Sequence, residues 1–364
     1  MKKRLVISAV NLIEGGTLTA FRDCLTGAEN ILSQDWEIIA LVHDKSLFNN
    51  RRVVFIEFPE VKRSWLKRLY YEFWYFKSLS KQLKPDVWFS MHDISAHVTA
   101  NRRAVYCHNP STFYRINLTD IWWEPKFFLF TLFYRYLYGL NIHANNLVVV
   151  QQNWLRNAFQ SMYQLNNVVV AHPVIRHQNR QDTPDRSLPG VFFYPALPRV
   201  FKNFEVLYAA AKILREQIGN SFEIRLTLSG HESRYARHLL KRFADMPNIR
   251  FIGYQSQVQM FEQYQQASAI VFPSKLETWG LPISEAKNLG KQLIVADLPY
   301  AYEPVGTYHK VVFFEPDNAE QLAAIMLSHI QGRLENQQTA TPSISPPYAQ
   351  SWEELIMLVI SDTV

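Results

Sequence analysis

The sequence predicts an α/β fold made of two doubly wound domains. Short apolar runs rich in β-branched residues alternate with helix-length segments through both halves of the chain. The runs are continuous instead of alternating with polar residues, which is typical of parallel strands covered by helices on both faces. With 364 residues, 48% of them hydrophobic, the chain is long enough for two cores.

The predicted strands of the first half are RLVISAV, WEIIALV, VVFIEF, DVWFSM, RAVYCH and LVVVQ. The N-terminal MKKRLVISAV has the basic tip and apolar stretch of a signal peptide, but Asn11 and Glu14 follow early and no small-residue cleavage site is present. We interpret this stretch as the first buried strand. The strongest apolar run, 127–142, contains Arg135 and is shorter than the roughly 20 residues that span a bilayer, so we predict no transmembrane segment.

The second half continues with GVFFYPA, FEIRLTLSG, IRFIG, SAIVFPS, KQLIVAD and KVVFF. Between the two series lies a polar, proline-containing stretch without periodicity, which is typical of a linker. We therefore predict a first domain over 1–175, a linker over 176–190 and a second domain over 191–330. A polar linker over 331–349 precedes an apolar-periodic helix over 350–364, and either domain could accommodate that helix.

Cysteine content and charge limit the possible chemistry. Cys24 and Cys107 are far apart and lack partners at metal-ligand spacing, which gives no support to a disulfide framework or a zinc site and favours a reducing compartment.

The positive charge is concentrated in the first half of the chain. Of the net charge of +6, residues 1–172 carry +7, from 20 Lys and Arg against 13 Asp and Glu. A positive first half favours anionic partners such as phosphates, anionic lipid surfaces or nucleic acid.

Glycine patterns do not indicate a hydride-transferring dinucleotide enzyme. The chain contains no Gly-x-Gly, which the dinucleotide-binding fingerprint requires. Gly15 and Gly16 follow the first strand and let a ligand approach the backbone where a helix begins. We include them among the candidate donor-binding residues, although an ordinary strand-to-helix turn explains this stretch better when it is taken alone.

The stretch LETWGLPISEAKNLG combines a helix start with two glutamates. AIVFPS reads as a buried strand, and the helix that follows has Pro282 in its first turn and Gly290 at its end. Helix-start N–H groups beside Gly280 favour an anion such as a diphosphate. Glu277 and Glu285 flank that point and can accept hydrogen bonds from hydroxyls, so the combination predicts a nucleotide sugar. Glu285 taken alone is better explained as a first-turn glutamate that complements the helix dipole.

The segment FPSKLETWGLPISEAKNLGKQLIVAD resembles the Glu-x7-Glu signature of retaining glycosyltransferases of family 4, which have the GT-B architecture. The resemblance implies two Rossmann-like domains facing a cleft, with a C-terminal helix that can cross back to the first domain. It also implies that Glu277 contacts the donor sugar, that the amides of Gly280, Leu281 and Pro282 hold the diphosphate, and that Glu285 binds the ribose.

Two further segments of the second domain are similar to that family. NIRFIGYQSQVQMFEQYQQASAIVFPS resembles the Phe-x-Gly segment, which implies that the backbone at Tyr254 faces the nucleobase. FYPALPRVFKNFEVLYAAAKIL resembles the strand, basic loop and helix that reach the donor phosphates, through Arg199 and Lys202. Pro195-Ala196 replaces the usual Gly-Arg, and the arginine lies three residues before the lysine, which puts the role of Arg199 in doubt. Without the neighbouring motif, the two cations would be read as a solvated pair.

In RAVYCHNPSTFY, His108 follows a predicted strand, where family members carry a histidine near the donor sugar. A lone histidine can also be a structural residue. We predict Glu277, His108 and Lys202 as the catalytic residues. His92 and Asp93 end another strand, where acceptor contacts are possible.

Residues 61–84 contain seven Lys and Arg, seven aromatic residues and one acidic residue, Glu72. Basic and aromatic residues in this arrangement favour an anionic membrane interface, and a helix that simply covers the sheet is the alternative. They also suit single-stranded nucleic acid, but the glutamate motif would then be unexplained, so we predict no nucleic-acid partner.

We therefore predict a retaining glycosyltransferase that moves a sugar from a nucleotide-sugar donor to a glycan or lipid-linked oligosaccharide in bacterial lipopolysaccharide, O-antigen or related surface polysaccharide synthesis. The resemblance implies no divalent metal and no cofactor, and the absence of Asp-x-Asp agrees with the former. We expect a cytoplasmic protein, peripheral at the inner face of the cytoplasmic membrane. The alternatives are a glycoside hydrolase with a glutamate pair and a non-catalytic GT-B partner subunit.

Overall fold

The computed structural model describes residues 2–173 and 186–361. Its strands are β1 (Lys3–Ser8), β2 (Trp36–Val42), β3 (Val53–Glu57), β4 (Val87–Ser90), β5 (Arg102–Cys107), β6 (Leu147–Val150), β7 (Val168–Ala171), β8 (Leu188–Tyr194), β9 (Glu223–Leu226), β10 (Ile249–Phe251), β11 (Ala267–Phe272), β12 (Gln292–Ala296), β13 (Val311–Phe314) and β14 (Tyr348–Ala349).

The α-helices are α1 (Gly15–Ile31), α2 (Trp65–Tyr70), α3 (Phe76–Leu83), α4 (Leu118–Trp123), α5 (Pro125–Gly139), α6 (Asn153–Tyr163), α7 (Phe204–Ile218), α8 (Arg234–Arg242), α9 (Gln257–Gln266), α10 (Leu281–Asn288), α11 (Pro299–Val305), α12 (Ala319–Ile330) and α13 (Trp352–Ile360). A π-helical turn, Tyr71–Tyr75, joins α2 to α3. In the part of the chain that the structure describes, none of these helices has the length and apolar character needed to cross a bilayer.

The chain divides into two compact units. Unit 1 comprises Met1–Thr112, Phe133–Val174 and Ile344–Val364, and unit 2 comprises Phe113–Leu132 and Ile175–Ser343. This division differs from the predicted one because the segment 113–132 belongs to unit 2. The predicted linker falls mostly on residues 174–185, which lie outside the described residues.

Unit 1 is built on a parallel sheet with the strand order β14-β7-β6-β5-β4-β1-β2-β3. The buried runs of β1, β2 and β4 supply apolar side chains to clusters on both faces, as the continuous sequence runs predicted. Helix α13 packs against α1. The helices approach closely at Gly27, where an added Cβ would lie 2.8 Å from the Cβ of Trp352. The C-terminal helix thus belongs to unit 1, one of the two domains with which its sequence was compatible.

Unit 2 contains a second parallel sheet with the order β10-β9-β8-β11-β12-β13. Numbered within the unit, this order is 3-2-1-4-5-6, the Rossmann arrangement. Strands β9 and β10 lie on one side of β8, and β11 to β13 lie on the other. The loops at the carboxyl ends of β8 and β11 therefore form the topological switch point, where ligands of such sheets bind.

Candidate functional site

The switch point of unit 2 brings together two helix N-termini. Helix α7 begins after Asn203 and α10 after Gly280, both in the left-handed conformation with φ of 56° and 83°, and neither N-terminus is capped by a side-chain hydrogen bond. Asn203 is buried and instead donates to the carbonyl oxygens of Pro273 and Pro316, at 3.1 and 2.7 Å. This amide fixes the three loops that follow β8, β11 and β13. Two helix N-termini without side-chain caps therefore lie where an anion is favoured.

Lys202 and Glu277 form an ion pair at this point. The Nζ of Lys202, which follows β8, bonds to Oε1 of Glu277, which follows β11. Both side chains are only 15% exposed. The two loops are further joined by a backbone bond of 2.7 Å from the amide of Lys275 to the carbonyl of Phe201. The structure thus brings together the two catalytic residues predicted for the second domain, although their roles stay predictions.

Arg199 is held by a residue that the sequence did not suggest. Its Nε donates to Oε1 of Glu124 at 2.6 Å, and the amide of Val200 donates to Oε2 at 2.8 Å. The guanidinium also lies 5.0 Å from the ring centroid of Phe127. Glu124 follows α4 in the segment 113–132 of unit 2, 75 positions before Arg199 in the sequence. A phosphate that binds Arg199 would have to compete with this carboxylate.

Glu285 lies in α10 and is oriented by Tyr264 of α9, whose hydroxyl donates to Oε2 at 2.6 Å. The residues between the two glutamates adopt the predicted form. Gly280 precedes the helix, Leu281 is its first residue and Pro282 its second, and Trp279 is buried with Nε1 bonded to Oγ of Ser284 at 3.0 Å. Trp279 is therefore a core residue.

Tyr254 lies in the loop between β10 and α9, and its side chain is 88% exposed. Gly253 before it has φ of 68° and donates its amide to the carbonyl of Leu228 at 3.0 Å, which fixes this loop to the loop that follows β9. The structure thus places Tyr254 at the carboxyl ends of the strands, two strands away from β8.

The remaining predicted residues belong to unit 1. Gly15 and Gly16 open α1, and φ of Gly15 is 67° with open space around the position of a Cβ. His108 follows β5 and is half-buried, with its amide donating to Oδ1 of Asp93 at 2.8 Å. The order of the sheet puts its own switch point between β1 and β4. Gly15 and Asp93 follow these two strands.

Asp93 organises the loop that carries His108. It has φ of 73° and is 6% exposed, and its carboxylate accepts hydrogen bonds from the amides of His108 and Asn109 and from the hydroxyls of Tyr134 and Tyr138 at 2.8 to 3.2 Å. Burial, followed by the negative charge of Asp93, raises the pKa of both tyrosines well above the usual value, so they remain donors. The sequence placed Asp93 at the end of a strand with acceptor contacts possible, whereas its carboxylate is bonded within unit 1.

A second buried polar cluster links α2 to the end of β4. The guanidinium of Arg68 lies 3.1 Å from Nδ1 of His92, and Nε2 of that ring lies 3.2 Å from Oγ of Ser8. Nε2 is also 3.1 Å from Oε1 of Glu72, but the geometry is not that of a hydrogen bond. Because Ser8 and Glu72 approach the same ring nitrogen, the group is not arranged as a nucleophilic triad.

Glu72 itself lies in the π-helical turn and is fully buried. Burial raises the pKa of its carboxyl to about 8, against the opposing charge of Arg68. Burial, with Arg68 second, lowers the pKa of His92 well below its usual value. Among the described residues, no group of three or more His, Cys, Asp and Glu is arranged to hold a metal ion.

Comparison with known proteins identifies similar domains and folds. Residues 176–341 match the family model described as glycosyl transferases group 1. That segment contains Arg199, Lys202, Tyr254, Glu277 and Glu285. No curated protein matches the sequence significantly.

Solved structures cover almost the whole chain. TarM matches with a TM-score of 0.66 and 10% identity over 92% of this chain and 93% of its own. The lipopolysaccharide outer core galactosyltransferase WaaB, in its apo form, matches with a TM-score of 0.63 and 14% identity over 99% and 96%. HepE of Anabaena in complex with UDP-glucose matches with a TM-score of 0.63 and 14% identity over 98% and 95%. These likenesses confirm the predicted GT-B fold class with two Rossmann-like domains.

Proposed function

We propose that this protein is a glycosyltransferase that moves a sugar from a nucleoside diphosphate sugar to a glycan or lipid-linked oligosaccharide acceptor in bacterial surface polysaccharide synthesis. The observation that carries the proposal is the switch point of unit 2, where two uncapped helix N-termini meet the Lys202–Glu277 pair. The match of residues 176–341 to glycosyl transferases group 1 supports this proposal, as does the likeness to the galactosyltransferase WaaB and to HepE in complex with UDP-glucose.

The proposed chemistry follows from the charges at this point. Amides at the start of α10 and the ammonium of Lys202 stabilise the negative charge that grows on the leaving diphosphate. Glu277 then releases Lys202 and accepts hydrogen bonds from hydroxyls of the transferred sugar. The backbone at Tyr254 faces the nucleobase. We further propose retention of the anomeric configuration and transfer without a divalent metal or cofactor. Unit 1 binds the acceptor in this proposal, and it contributes His108 as a catalytic residue and Gly15 and Gly16 as donor-binding residues.

The surroundings of the two glutamates favour a transferase over a glycoside hydrolase. Glu277 accepts from an ammonium and Glu285 from a phenol hydroxyl, so both act as hydrogen-bond acceptors. In a glycoside hydrolase pair, one of the two carboxyls must instead donate a proton.

The test is nucleotide release from candidate nucleotide sugars, with and without acceptor glycans. Acceptor-dependent release is expected, and Glu277→Gln lowers it by about 100-fold or more if the side chain acts in the transition state. Glu320→Gln, on an exposed turn of α12, is the control and should keep full activity. Cleavage of oligosaccharides without nucleotide would show a hydrolase. If this chain releases no nucleotide, and Glu277→Gln does not change the activity of a partner enzyme, the protein is a non-catalytic subunit.

We also propose that unit 1 contacts an anionic membrane through residues 61–84, at the inner face of the cytoplasmic membrane. Trp65, Leu66, Tyr70 and Trp74 are 47 to 80% exposed. The same segment contains seven of the basic residues of the chain. Side chains that combine apolar faces with positive charge suit an anionic bilayer interface.

The second half of α5 extends this surface. Trp65 contacts Tyr134 edge-to-face at 6.4 Å between ring centroids, and Phe133, Tyr136 and Leu140 are 50 to 64% exposed. Cosedimentation with vesicles of phosphatidylcholine, with and without phosphatidylglycerol, tests the contact. Binding should require the anionic lipid and should fall in Trp74→Ala but not in Ile31→Ala, an exposed residue of α1. Equal binding by both variants would refute this surface.

A further inference from the structure

Tyr264 is a buried hydroxyl donor beside one of the proposed ligand-binding carboxylates. It is 2% exposed, and its hydroxyl lies 2.6 Å from Oε2 of Glu285. Tyr264 belongs to α9 and Glu285 to α10, so the bond joins two helices that flank the same sheet. Buried tyrosines normally need such a partner, but this one is bonded to a residue whose side chain reaches solvent.

The tyrosine ring cannot easily leave this position. It packs edge-to-face against Phe193 of β8, with 5.3 Å between ring centroids and an interplanar angle of 82°. Burial, followed by the charge of Glu285, raises the pKa of Tyr264 well above 10. The phenol therefore remains protonated and can donate to the carboxylate of Glu285.

One carboxylate oxygen of Glu285, Oε1, is available to a ligand. Oε2 accepts the tyrosine hydroxyl, and among the described residues no other side chain is bonded to this carboxylate. An exposed glutamate in a helix otherwise samples several rotamers, and fixing it costs conformational entropy when a ligand binds. A carboxylate that is already oriented avoids most of that cost.

We propose that Tyr264 is a positioning residue that holds Glu285 ready to accept the two vicinal hydroxyls of a ribose, and thereby selects ribonucleoside over deoxyribonucleoside diphosphates. The inference rests on the proposed function, because it assumes that the switch point binds a nucleoside diphosphate. Tyr264 itself touches no ligand in this account.

The test measures dissociation constants by calorimetry for UDP, GDP and ADP and for their 2′,3′-dideoxy counterparts, with the full chain and with Tyr264→Phe. The variant should bind the preferred ribonucleotide about two- to tenfold more weakly, the range expected for one net hydrogen bond. Its affinity for the dideoxy form should not change, since that ligand has no hydroxyls for Glu285. The ratio of the dissociation constants for the ribo and dideoxy ligands, and not either constant alone, separates a positioning role from a general structural effect.

Tyr208→Phe is the matched control. Its hydroxyl also donates to a carboxylate of unit 2, that of Asp245 at 3.0 Å, but outside the switch point, so both affinities should stay at the wild-type value. The double variant Tyr264→Phe, Glu285→Gln should bind no more weakly than Glu285→Gln alone, because the tyrosine acts only through the glutamate.

Four results would overturn the inference. The role of Tyr264 is refuted, and the proposed function is left standing, if Tyr264→Phe binds the ribonucleotide as tightly as the wild type does. The same holds if the variant loses equal affinity for the ribo and dideoxy ligands. Additive losses in the double variant show that Tyr264 does not act through Glu285. Failure of the wild-type chain to bind any of the nucleotides refutes the proposed function, and this inference with it.

Discussion

Replacing Glu72 by Gln should change how the stability of the protein depends on pH. The carboxyl is fully buried, and neither oxygen has a hydrogen-bond partner among the described residues. Its pKa is raised by burial from 4.5 to about 8. Between these two values the folded chain keeps a proton that the unfolded chain has already lost. The contribution of Glu72 to the free energy of unfolding therefore falls as the pH rises through this window.

The magnitude follows from the shift. One pH unit within the window changes the free energy of unfolding by about 1.4 kcal/mol through a single group. Glutamine has nearly the same shape as the protonated glutamate and does not titrate. The stability of Glu72→Gln relative to the wild type should therefore increase by up to about 1.4 kcal/mol per pH unit between about pH 5 and 8, and should level off on both sides of that range.

Urea unfolding of both proteins at half-unit pH steps measures this difference. Taking the difference cancels the titrating groups that lie away from Glu72. Glu72→Asp keeps a titratable carboxyl and serves as the control, with a pH dependence closer to that of the wild type. Parallel stability curves for the wild type and Glu72→Gln would refute the reasoning that this carboxyl is protonated in the folded state.

Three further changes test other parts of the structure. Asp93→Asn keeps a residue that tolerates a positive φ but removes the charge that four donors share, so the free energy of unfolding should fall by about 1–3 kcal/mol in urea unfolding; an unchanged value would contradict the account of this cluster. Glu124→Gln removes the charge that pairs with Arg199, which should tighten calorimetric UDP binding by up to about fivefold; weaker or equal binding would argue against a phosphate role for Arg199. Leu355→Ala in α13 should lower the thermal midpoint through a loss of about 2–5 kcal/mol, since the side chain is 1% exposed; no shift would mean that the helix does not anchor unit 1.

The parallel sheets could be predicted because their strands are continuous apolar runs, which few other structures tolerate. All the strands predicted from such runs are present in the structure. β7 and β14 were missed. β7, VVVA, is a short continuous run of the same kind as β6, so its sequence allowed the prediction, whereas β14 has only two residues and follows a polar stretch.

The contacts that arrange the site could not be predicted from local patterns. Lys202 and Glu277 were found because their segments resemble those of family 4 glycosyltransferases. Glu124 and Tyr264 reach their partners across 75 and 21 positions, and nothing in their own neighbourhoods marks them. Local sequence predicts the elements, whereas such pairs depend on how distant loops meet at the ends of the strands.

The most direct test of the central claim is a crystal structure of the full chain with the nucleoside diphosphate sugar that nucleotide-release assays select. We predict a diphosphate against the N-terminus of α10, with the Lys202–Glu277 pair opened so that the ammonium faces phosphate and the carboxylate faces sugar hydroxyls. A ligand bound away from the ends of β8 and β11, with that ion pair intact, would contradict the account.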